Sequence, residues 1–561
     1  MMAFIAELSC VFWVAILLYT PYAHFLSGSV WHNWAGSFMI LSLTSVLLFF
    51  KQPLRLQGLS LGKYSCVLCC LFLCCGIEYW YLAAGLFSCY FLFVFLPWEY
   101  WRVIITLLAL IEASVGICQY FGIISHVPDF IVTGHFNNPA GFAAFLSAAL
   151  PFALVQNVYS REKYFYFISS TIIIAAIFLS YSRSGILASS LICLLFVLKK
   201  SSKCFRFSTW MKFLVVILFT CGLVLMLYYL KQNSANGRLL IWQVSWEMIK
   251  EKPFLGHGLG SFQAHYMFYQ ADYLSNHLEN KFVQLASDVK VPFNEYLKIW
   301  VEAGVVGVLF IVMLLCFTWK IFVKAKDEGK IMASLSIIAV SIFGFFSYPL
   351  SYFFVWLVIA FDLMLFCKDF SGEIEIRQSF KRLMKFVGGG VILGIALGML
   401  ESYKNETKSF RLAHTPIEDI SANDYESLYT EMPDNYVVLY NYGAYLNGMG
   451  DYKRSIQIFN ECSRWFNNSE MQLFLGDNYL NLKDYDQALK HIVMAEKMVH
   501  SRFTPLYYKF LVAREQGEEH EAIKIAQQIM RKEVKVDNQK LRLIKAEMNH
   551  FLNNHVGHSK K

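Results

Sequence analysis

The chain has 561 residues, of which 57% are hydrophobic and 16% are charged. Soluble domains average about 45–50% apolar and about 25% charged residues, so this composition argues against a wholly soluble protein. The net charge of +8 is weak evidence for nucleic-acid binding, because basic cytoplasmic loops give a membrane protein the same excess. We therefore expect a membrane protein without a nucleic-acid partner.

The apolar runs predict an all-α, polytopic bundle of about 12–13 transmembrane helices, since a helix needs about 20 apolar residues to cross a bilayer. The candidate runs are 3–19, 35–50, 64–76, 79–96, 103–121, 139–155, 164–181, 185–198, 213–230, 304–322, 331–348, 350–366 and 386–400. The runs that begin at Tyr64, Gly185 and Phe386 are short for a complete span.

The charges of the short loops predict the orientation. With a cytoplasmic N-terminus, 20 lysines and arginines lie in the inner loops, whereas the short outer loops hold only Arg183. Because basic loops remain in the cytoplasm, the long loop 231–298 and everything after the last span are expected outside. The predicted location is the cytoplasmic (inner) membrane, in contact with its lipids.

The chain becomes polar from Glu401 onward, and from Tyr436 it repeats. Gly443 and Tyr452 recur 33 residues later as Gly476 and Tyr485. Each period indicates two amphipathic helices around a turn, with small residues where the helices cross, and resembles the tetratricopeptide repeat. We expect a soluble α-helical repeat domain of about three such units; an ordinary helical bundle is the alternative.

These patterns together predict six segments along the chain. They are N-terminal spans over 1–230, a large extracytoplasmic loop over 231–298, further spans over 299–400, a linker over 401–435, the repeats over 436–535 and a C-terminal tail over 536–561.

Two arginines are the first candidate site residues. Arg183 stands between two apolar runs, where a charge is costly, so we expect an anionic group beside it; an arginine that reaches lipid phosphates is the alternative. Arg238 opens the outer loop, and the spacing that follows indicates an amphipathic helix with Arg238 at its start. Two guanidinium groups suit a diphosphate, whose oxygens they bind in a bidentate fork. A solvated loop arginine is the alternative for Arg238.

Other polar residues accompany the arginines. His257 lies in the glycine-rich segment 253–262 and is either a base or a turn residue. Asn294 and Glu295 lie at the first turn of the helix that follows the loop, where a carboxylate is also a routine cap. Asn138 precedes Pro139 and either contacts substrate or caps that helix.

Taken together, these motifs resemble the O-antigen ligase and O-antigen polymerase superfamily of membrane glycosyltransferases. The resemblance rests on four stretches in order: 137–141 (Asn-Asn-Pro-Ala-Gly), 182–185 (Ser-Arg-Ser-Gly), 238–262 and 294–307. It covers roughly residues 137–322, and the large outer loop agrees with it.

The resemblance implies a metal-independent transfer, without a cofactor, from a polyprenyl-diphosphate-linked glycan to an acceptor hydroxyl on the outer membrane face. Two arginines would hold the diphosphate and stabilise it as a leaving group. The expected catalytic residues are Arg183, Arg238, His257, Asn294 and Glu295, and the expected substrate contacts are Asn138, Ser182, Trp242 and Tyr296.

One residue departs from the family pattern. In the ligases a histidine directly precedes the asparagine of the fourth stretch, and this chain has Phe293 there. Phenylalanine accepts no proton, so either the base is dispensable or another group replaces it. The candidates for that replacement are Glu295, His257, His265 and His277.

The acceptor stays open at this stage: a lipid core, a second glycan repeat or a protein hydroxyl. The repeat domain is expected to recruit a protein acceptor or partner. The alternatives are a polysaccharide repeat-unit polymerase, or a transporter or flippase of lipid-linked glycans. Transporters carry ionisable residues near the membrane midplane, whereas here they cluster toward the predicted outer surface.

The loop charges make a topology prediction. Alkaline phosphatase fused after Gln270 should be active and the same enzyme fused after Lys203 should be inactive, because its disulfides form only outside the cytoplasm. A fluorescent protein that matures only in the cytoplasm should give the opposite pattern at both sites. Phosphatase activity after Lys203 would contradict the predicted orientation.

Overall fold

The computed structural model describes residues 98–155, 162–200, 209–230, 232–277, 283–367, 378–535 and 537–556. Over these residues the chain is all-helical, with 19 α-helices and no strand. The chain divides into two compact units. The first unit comprises the described residues up to Leu230 with Phe293–Thr407, and the second comprises Lys231–Pro292 with Lys408–Lys561. The expected spans at 3–19, 35–50, 64–76 and 79–96 lie outside the described residues.

The first unit holds the apolar helices. They are α1 (Trp98–Tyr120), α2 (Pro139–Leu154), α3 (Lys163–Leu179), α4 (Arg183–Lys200), α5 (Thr209–Leu230), α8 (Glu295–Lys324), α9 (Glu328–Gly344) and α10 (Phe353–Cys367). Helix α11 (Gln378–Ala413) contains the expected run 386–400, and its residues up to Thr407 belong to this unit.

Several of these helices have the length and composition of membrane spans. Trp98–Tyr120, Trp210–Tyr229 and Glu295–Lys324 are long enough and apolar enough to cross a bilayer, and α2, α3 and most of α10 are shorter apolar helices. Helix α5 presents apolar side chains outward: Trp210, Leu218 and Met226 are 81%, 62% and 61% exposed. Water would make this surface costly, so lipid is its expected surrounding. The protein is a helical membrane protein with an additional helical domain.

Helix α2 lies at the centre of the first unit. Every residue from Gly141 to Ala153 is buried, as expected for a helix that is apolar on all sides. Its small residues allow close neighbours: a Cβ added at Gly185 of α4 would lie 2.7 Å from the Cβ of Ala143. The hydroxyl of Ser336 on α9 donates to the Ala148 carbonyl over 2.9 Å. Helices α2, α4 and α9 therefore pack tightly at this point.

Helix α8 is interrupted near its start. The sequence predicts a span from Gly304 to Phe322, and the helix instead begins at Glu295 and bends at Gly304, where φ is 63° and ψ is −161°. Only glycine adopts this backbone conformation without strain. The segment before the bend therefore runs in a different direction from the rest of the span.

The second unit contains the loop and the repeats. Its helices are α6 (Gln232–Glu251), α7 (Ser261–Asn276), α12 (Ala422–Glu431), α13 (Tyr436–Gly448), α14 (Tyr452–Cys462), α15 (Ser469–Asn481), α16 (Tyr485–Met498), α17 (Thr504–Glu515), α18 (Glu519–Arg531) and α19 (Gln539–Val556). Helix α12 lies in the predicted linker, and α19 lies in the predicted tail.

The repeat helices form antiparallel pairs, α13 with α14, α15 with α16 and α17 with α18, at the expected period. Asp451 and Asp484 cap the second helix of the first two pairs by accepting from the backbone N–H groups of Arg454 and Gln487. A Cβ at Gly443 would lie 2.9 Å from the Phe459 ring, so small residues do lie where paired helices cross. The resemblance to tetratricopeptide repeats stays a prediction.

Loop and repeats pack together within this unit, which the sequence did not indicate. The Asp288 carboxylate accepts from the backbone N–H and the hydroxyl of Ser469 over 2.9 and 3.0 Å, and it pairs with Arg502 over 2.6 Å. The Gln270 amide on α7 donates to the Met498 carbonyl over 2.7 Å. These polar contacts fix the loop against the repeat helices.

A buried polar network in the repeats makes a stability prediction. The Ser455 hydroxyl donates to the Gly443 carbonyl and accepts from the Asn478 amide, each over 2.8 Å. Replacing Ser455 by Ala should cost about 1–3 kcal/mol, because the buried amide loses a partner. Thermal unfolding of the full-length protein in detergent measures the loss. Ser463 is half-buried, and its hydroxyl donates only to the nearby Asn460 carbonyl in an exposed hydrogen bond. Replacing it by Ala in the control should change stability by less than about 0.5 kcal/mol; equal melting of the two variants would contradict the prediction.

Candidate active site

The candidate residues of the first unit lie where α2, α4 and α8 begin, a surface called here the N-terminal face. Asn138, Ser182 and Asn294 each precede one of these helices. The segment Phe345–Tyr352, which joins α9 to α10, contacts all three helix starts. The structure thus brings together three motifs that are more than 40 residues apart along the chain.

Asn138 is the N-cap of α2. Its Oδ1 accepts from the Gly141 backbone N–H over 2.9 Å, and Pro139 occupies the first helical position. The same oxygen accepts from the Tyr352 hydroxyl over 3.0 Å. Asn138 therefore caps α2 in this structure. Its contact with Tyr352 also links the start of α2 to the segment that joins α9 to α10.

Arg183 is the first residue of α4. The chain turns sharply between α3 and α4, with Tyr181 in the left-handed region at a φ of 52°. The Ser182 hydroxyl accepts from the Gly185 backbone N–H over 3.4 Å, and the Ser184 hydroxyl donates to the Phe346 carbonyl over 3.4 Å. Arg183 is half-buried. Its positive charge and the positive end of the helix dipole lie at the same place, and both favour a bound anion there.

Asn294 and Glu295 are both buried at the start of α8. The Asn294 side chain accepts from the backbone N–H groups of Tyr296 and Leu297 as the N-cap. Glu295 does not cap: its Oε1 accepts from the Leu350 backbone N–H over 3.0 Å. This carboxylate therefore anchors the turn before α10.

Aromatic rings connect the same region. The Phe293 ring meets Tyr348 edge to face at 5.3 Å, and Tyr348 stacks on Tyr352 at 5.8 Å. Phe293 itself has a φ of 53°. The Tyr296 hydroxyl donates to the Ser341 carbonyl over 2.9 Å. At the position where the ligases carry a histidine, this chain therefore has an aromatic packing residue.

A polar cluster that includes none of the predicted site residues lies beside Asn138. The buried Glu112 of α1 accepts from the His135 backbone N–H over 3.1 Å, and its Oε1 lies 2.9 Å from His135 Nδ1. Two turns further along α1, Gln119 accepts from the backbone N–H groups of Thr133 and Gly134 over 3.0 and 2.8 Å. Glu112 is the only carboxylate within the apolar run 103–121, and this was the sequence feature that could have indicated the cluster.

The remaining candidates belong to the second unit. The indole N–H of Trp242 donates to the Pro292 carbonyl over 3.1 Å, which fixes the end of the loop. Nε2 of His257 lies 2.8 Å from the Met248 carbonyl, and Nδ1 of His277 lies 2.8 Å from the Tyr273 carbonyl. Both histidines therefore hold local backbone.

The position of Arg238 corrects one prediction. The sequence placed it at the start of an amphipathic helix, and α6 begins at Gln232, six residues earlier. The residues from Gln232 to Gly237 include no proline, which would break the helix, so the helix extends through them although Gly237 weakens it. Arg238 is half-buried on the second turn of α6.

Over the described residues, no group of three or more histidine, cysteine or carboxylate side chains is arranged to hold a metal ion.

Comparison with known families gives one match. Residues 168–312 match the O-antigen ligase family. The matched segment runs from α3 into α8 and contains Arg183, Arg238, His257 and Glu295. It supports glycosyl transfer in polysaccharide biosynthesis, by a ligase- or polymerase-like protein. A search of curated proteins found no match to the chain.

The cap at Asn138 makes a testable prediction. Asn138→Ala should destabilise the protein by about 1 kcal/mol, because the first turn of α2 loses its side-chain acceptor. Asn138→Asp keeps an acceptor for both Gly141 and Tyr352 and should retain near-native stability. Thermal unfolding in detergent compares the two variants, and equal stability of the Ala variant and the unmodified protein would show that the cap contributes nothing.

Proposed function

We propose that this protein transfers a glycan from a polyprenyl-diphosphate carrier to an acceptor hydroxyl on the outer face of the cytoplasmic membrane. The observation that carries the proposal is Arg183, a half-buried guanidinium at the first residue of α4, within the segment that matches the O-antigen ligase family. The acceptor is a lipid core, a glycan repeat or a protein hydroxyl, and the first of these is ligase chemistry.

The leaving group is a diphosphate, and the N-terminal face suits it. Helix starts carry partial positive charge, which favours anions nearby. Arg183 adds a full charge at one such start. A second guanidinium from Arg238 remains an expectation from the sequence motifs. Fixed cations lower the barrier because charge builds on the diphosphate as its bond to the sugar breaks.

The helical repeats provide a role for the second unit. Stacked helix pairs form extended surfaces that bind protein partners. Asp288 and Gln270 tie the loop to these helices, so a partner held on the repeats would be held near the loop that carries Arg238. We propose that the repeats recruit a protein acceptor or an assembly partner.

The proposal predicts the behaviour of an arginine variant. Arg183→Ala should reduce glycan transfer by at least 100-fold, or about 2.7 kcal/mol, because the leaving group loses a preorganised cation. Cells that carry only this variant should accumulate lipid-linked glycan and lose the corresponding surface polysaccharide or glycoprotein. Arg183→Lys, which keeps the charge without the planar fork, should be intermediate.

Lys163→Ala is the matched control, since Lys163 begins α3 and its removal deletes one positive charge at the opposite end of the helix that precedes Arg183. It should leave transfer unchanged. Normal glycans with an altered flux of lipid-linked glycan across the membrane in Arg183→Ala would favour a transporter instead.

A further inference from the structure

Helix α6 exposes two large apolar side chains along one of its faces. Four of its exposed positions, Leu239, Gln243, Trp246 and Lys250, recur after three or four residues and so lie on one side of the helix. We call these four residues the exposed stripe. The indole of Trp246 is 46% exposed, which is unusual for the largest apolar side chain on a polar loop.

The exposed stripe leads to a second pair of apolar residues. This pair, Phe254 and Leu255, lies just beyond the end of α6 and is called here the tip. Its side chains are 72% and 78% exposed. Adjacent apolar side chains with this exposure mark a surface that contacts lipid or protein.

The opposite face of α6 is already packed in the core of the second unit. Leu240, Val244 and Met248 recur every four residues on that face and are buried. Turning the helix to hide Trp246 would bring Val244 and Met248 to the surface. The exposed stripe is therefore not an unfilled part of this core.

Exposed aromatic side chains in the second unit are confined to this segment. Over the residues of the unit that the structure describes, Trp246 and Phe254 are the exposed aromatic side chains. The repeats expose single apolar side chains such as Met449 and Leu482, which is normal for a soluble domain. The apolar surface thus belongs to the loop and not to the repeats.

Chain connectivity favours lipid as the partner of this surface. One residue, at position 231, separates α6 from α5, whose outward apolar side chains have lipid as their expected surrounding. Met226 and Tyr229 near the end of α5 are exposed. Leu239 follows Tyr229 by ten residues, so the stripe continues along the chain an apolar surface that begins in a membrane span.

We propose that the exposed stripe and the tip lie in the interfacial region of the bilayer, with Trp246 and Phe254 inserted among the lipids. Helix α6 then lies along the membrane surface. Tryptophan, phenylalanine and leucine on one side of a helix are typical of that position, and tryptophan concentrates at the level of the lipid headgroups. This inference does not depend on the glycan transfer proposed above.

The contact with lipid is apolar, because the charges beside the tip cancel. The segment 247–252 holds two carboxylates and two lysines, which give a formal charge of zero. Lys250 pairs with Glu247 over 2.5 Å. Insertion should therefore require no anionic headgroup and should persist at high salt, which screens interactions between exposed charges.

The test uses the full-length protein reconstituted in phosphatidylcholine vesicles. The photoreactive residue p-benzoylphenylalanine replaces Phe254, and a fluorescent phosphatidylcholine reports covalent attachment of lipid after irradiation. Labelling should match that of the same residue at Trp210 on α5. It should be about tenfold higher than at Met449, an exposed apolar position in the repeats that serves as the matched control.

A second position and a second condition complete the experiment. The photoreactive residue at Leu255 should label equally well, and it replaces the Phe254 variant if that protein does not insert. Both side chains are exposed, so neither replacement removes packing from the core. Labelling should change by less than about twofold in about 1 M salt or in vesicles with added phosphatidylglycerol.

Three results would overturn the inference. The first is labelling at Trp210 without labelling at either position of the tip. The second is attachment of the tip to protein instead of lipid, which would indicate a second copy of the chain or another protein as the partner. The third is loss of labelling at high salt, which would show that the contact is electrostatic.

Discussion

The first unit depends on side-chain acceptors that satisfy backbone N–H groups where helices begin. A backbone N–H group that is buried away from water must find a partner within the protein. Asn138 and Asn294 supply that partner at α2 and α8, and Ser182 supplies it at α4. Three well-defined helix starts on one face result from this constraint.

The same constraint explains why one short connection organises the candidate site. The segment Phe345–Tyr352 gives a hydroxyl to Asn138, a backbone N–H to Glu295 and a carbonyl to Ser184. Each contact satisfies a polar group that would otherwise be costly to bury. Motifs from distant parts of the sequence are therefore held together by residues that lie outside the segment matching the family.

In the second unit, contacts with the repeat helices hold a polar loop in a defined shape. Its helices α6 and α7 bury apolar side chains such as Val244 and Phe262, and the repeat helices share cores such as the one around Phe459 and Tyr442. Asp288 and Gln270 link the loop to this rigid scaffold. A loop positioned in this way can present Arg238 and Trp242 reproducibly, which a site on a free loop cannot do.

The sequence alone determined the helical class, the apolar helices α1 to α5 and α8 to α10, and the paired helices of the repeats, because these follow from local periodicity. It also gave the capping alternatives at Asn138 and Asn294, which follow from helix-end chemistry. It also identified Phe293 as unable to act as a base. Only the tertiary structure decided that Glu295 anchors Leu350, that His257 holds the Met248 backbone and that Glu112 meets His135. Those contacts join residues on different elements, and no pattern along one segment encodes which distant group will satisfy a buried carboxylate.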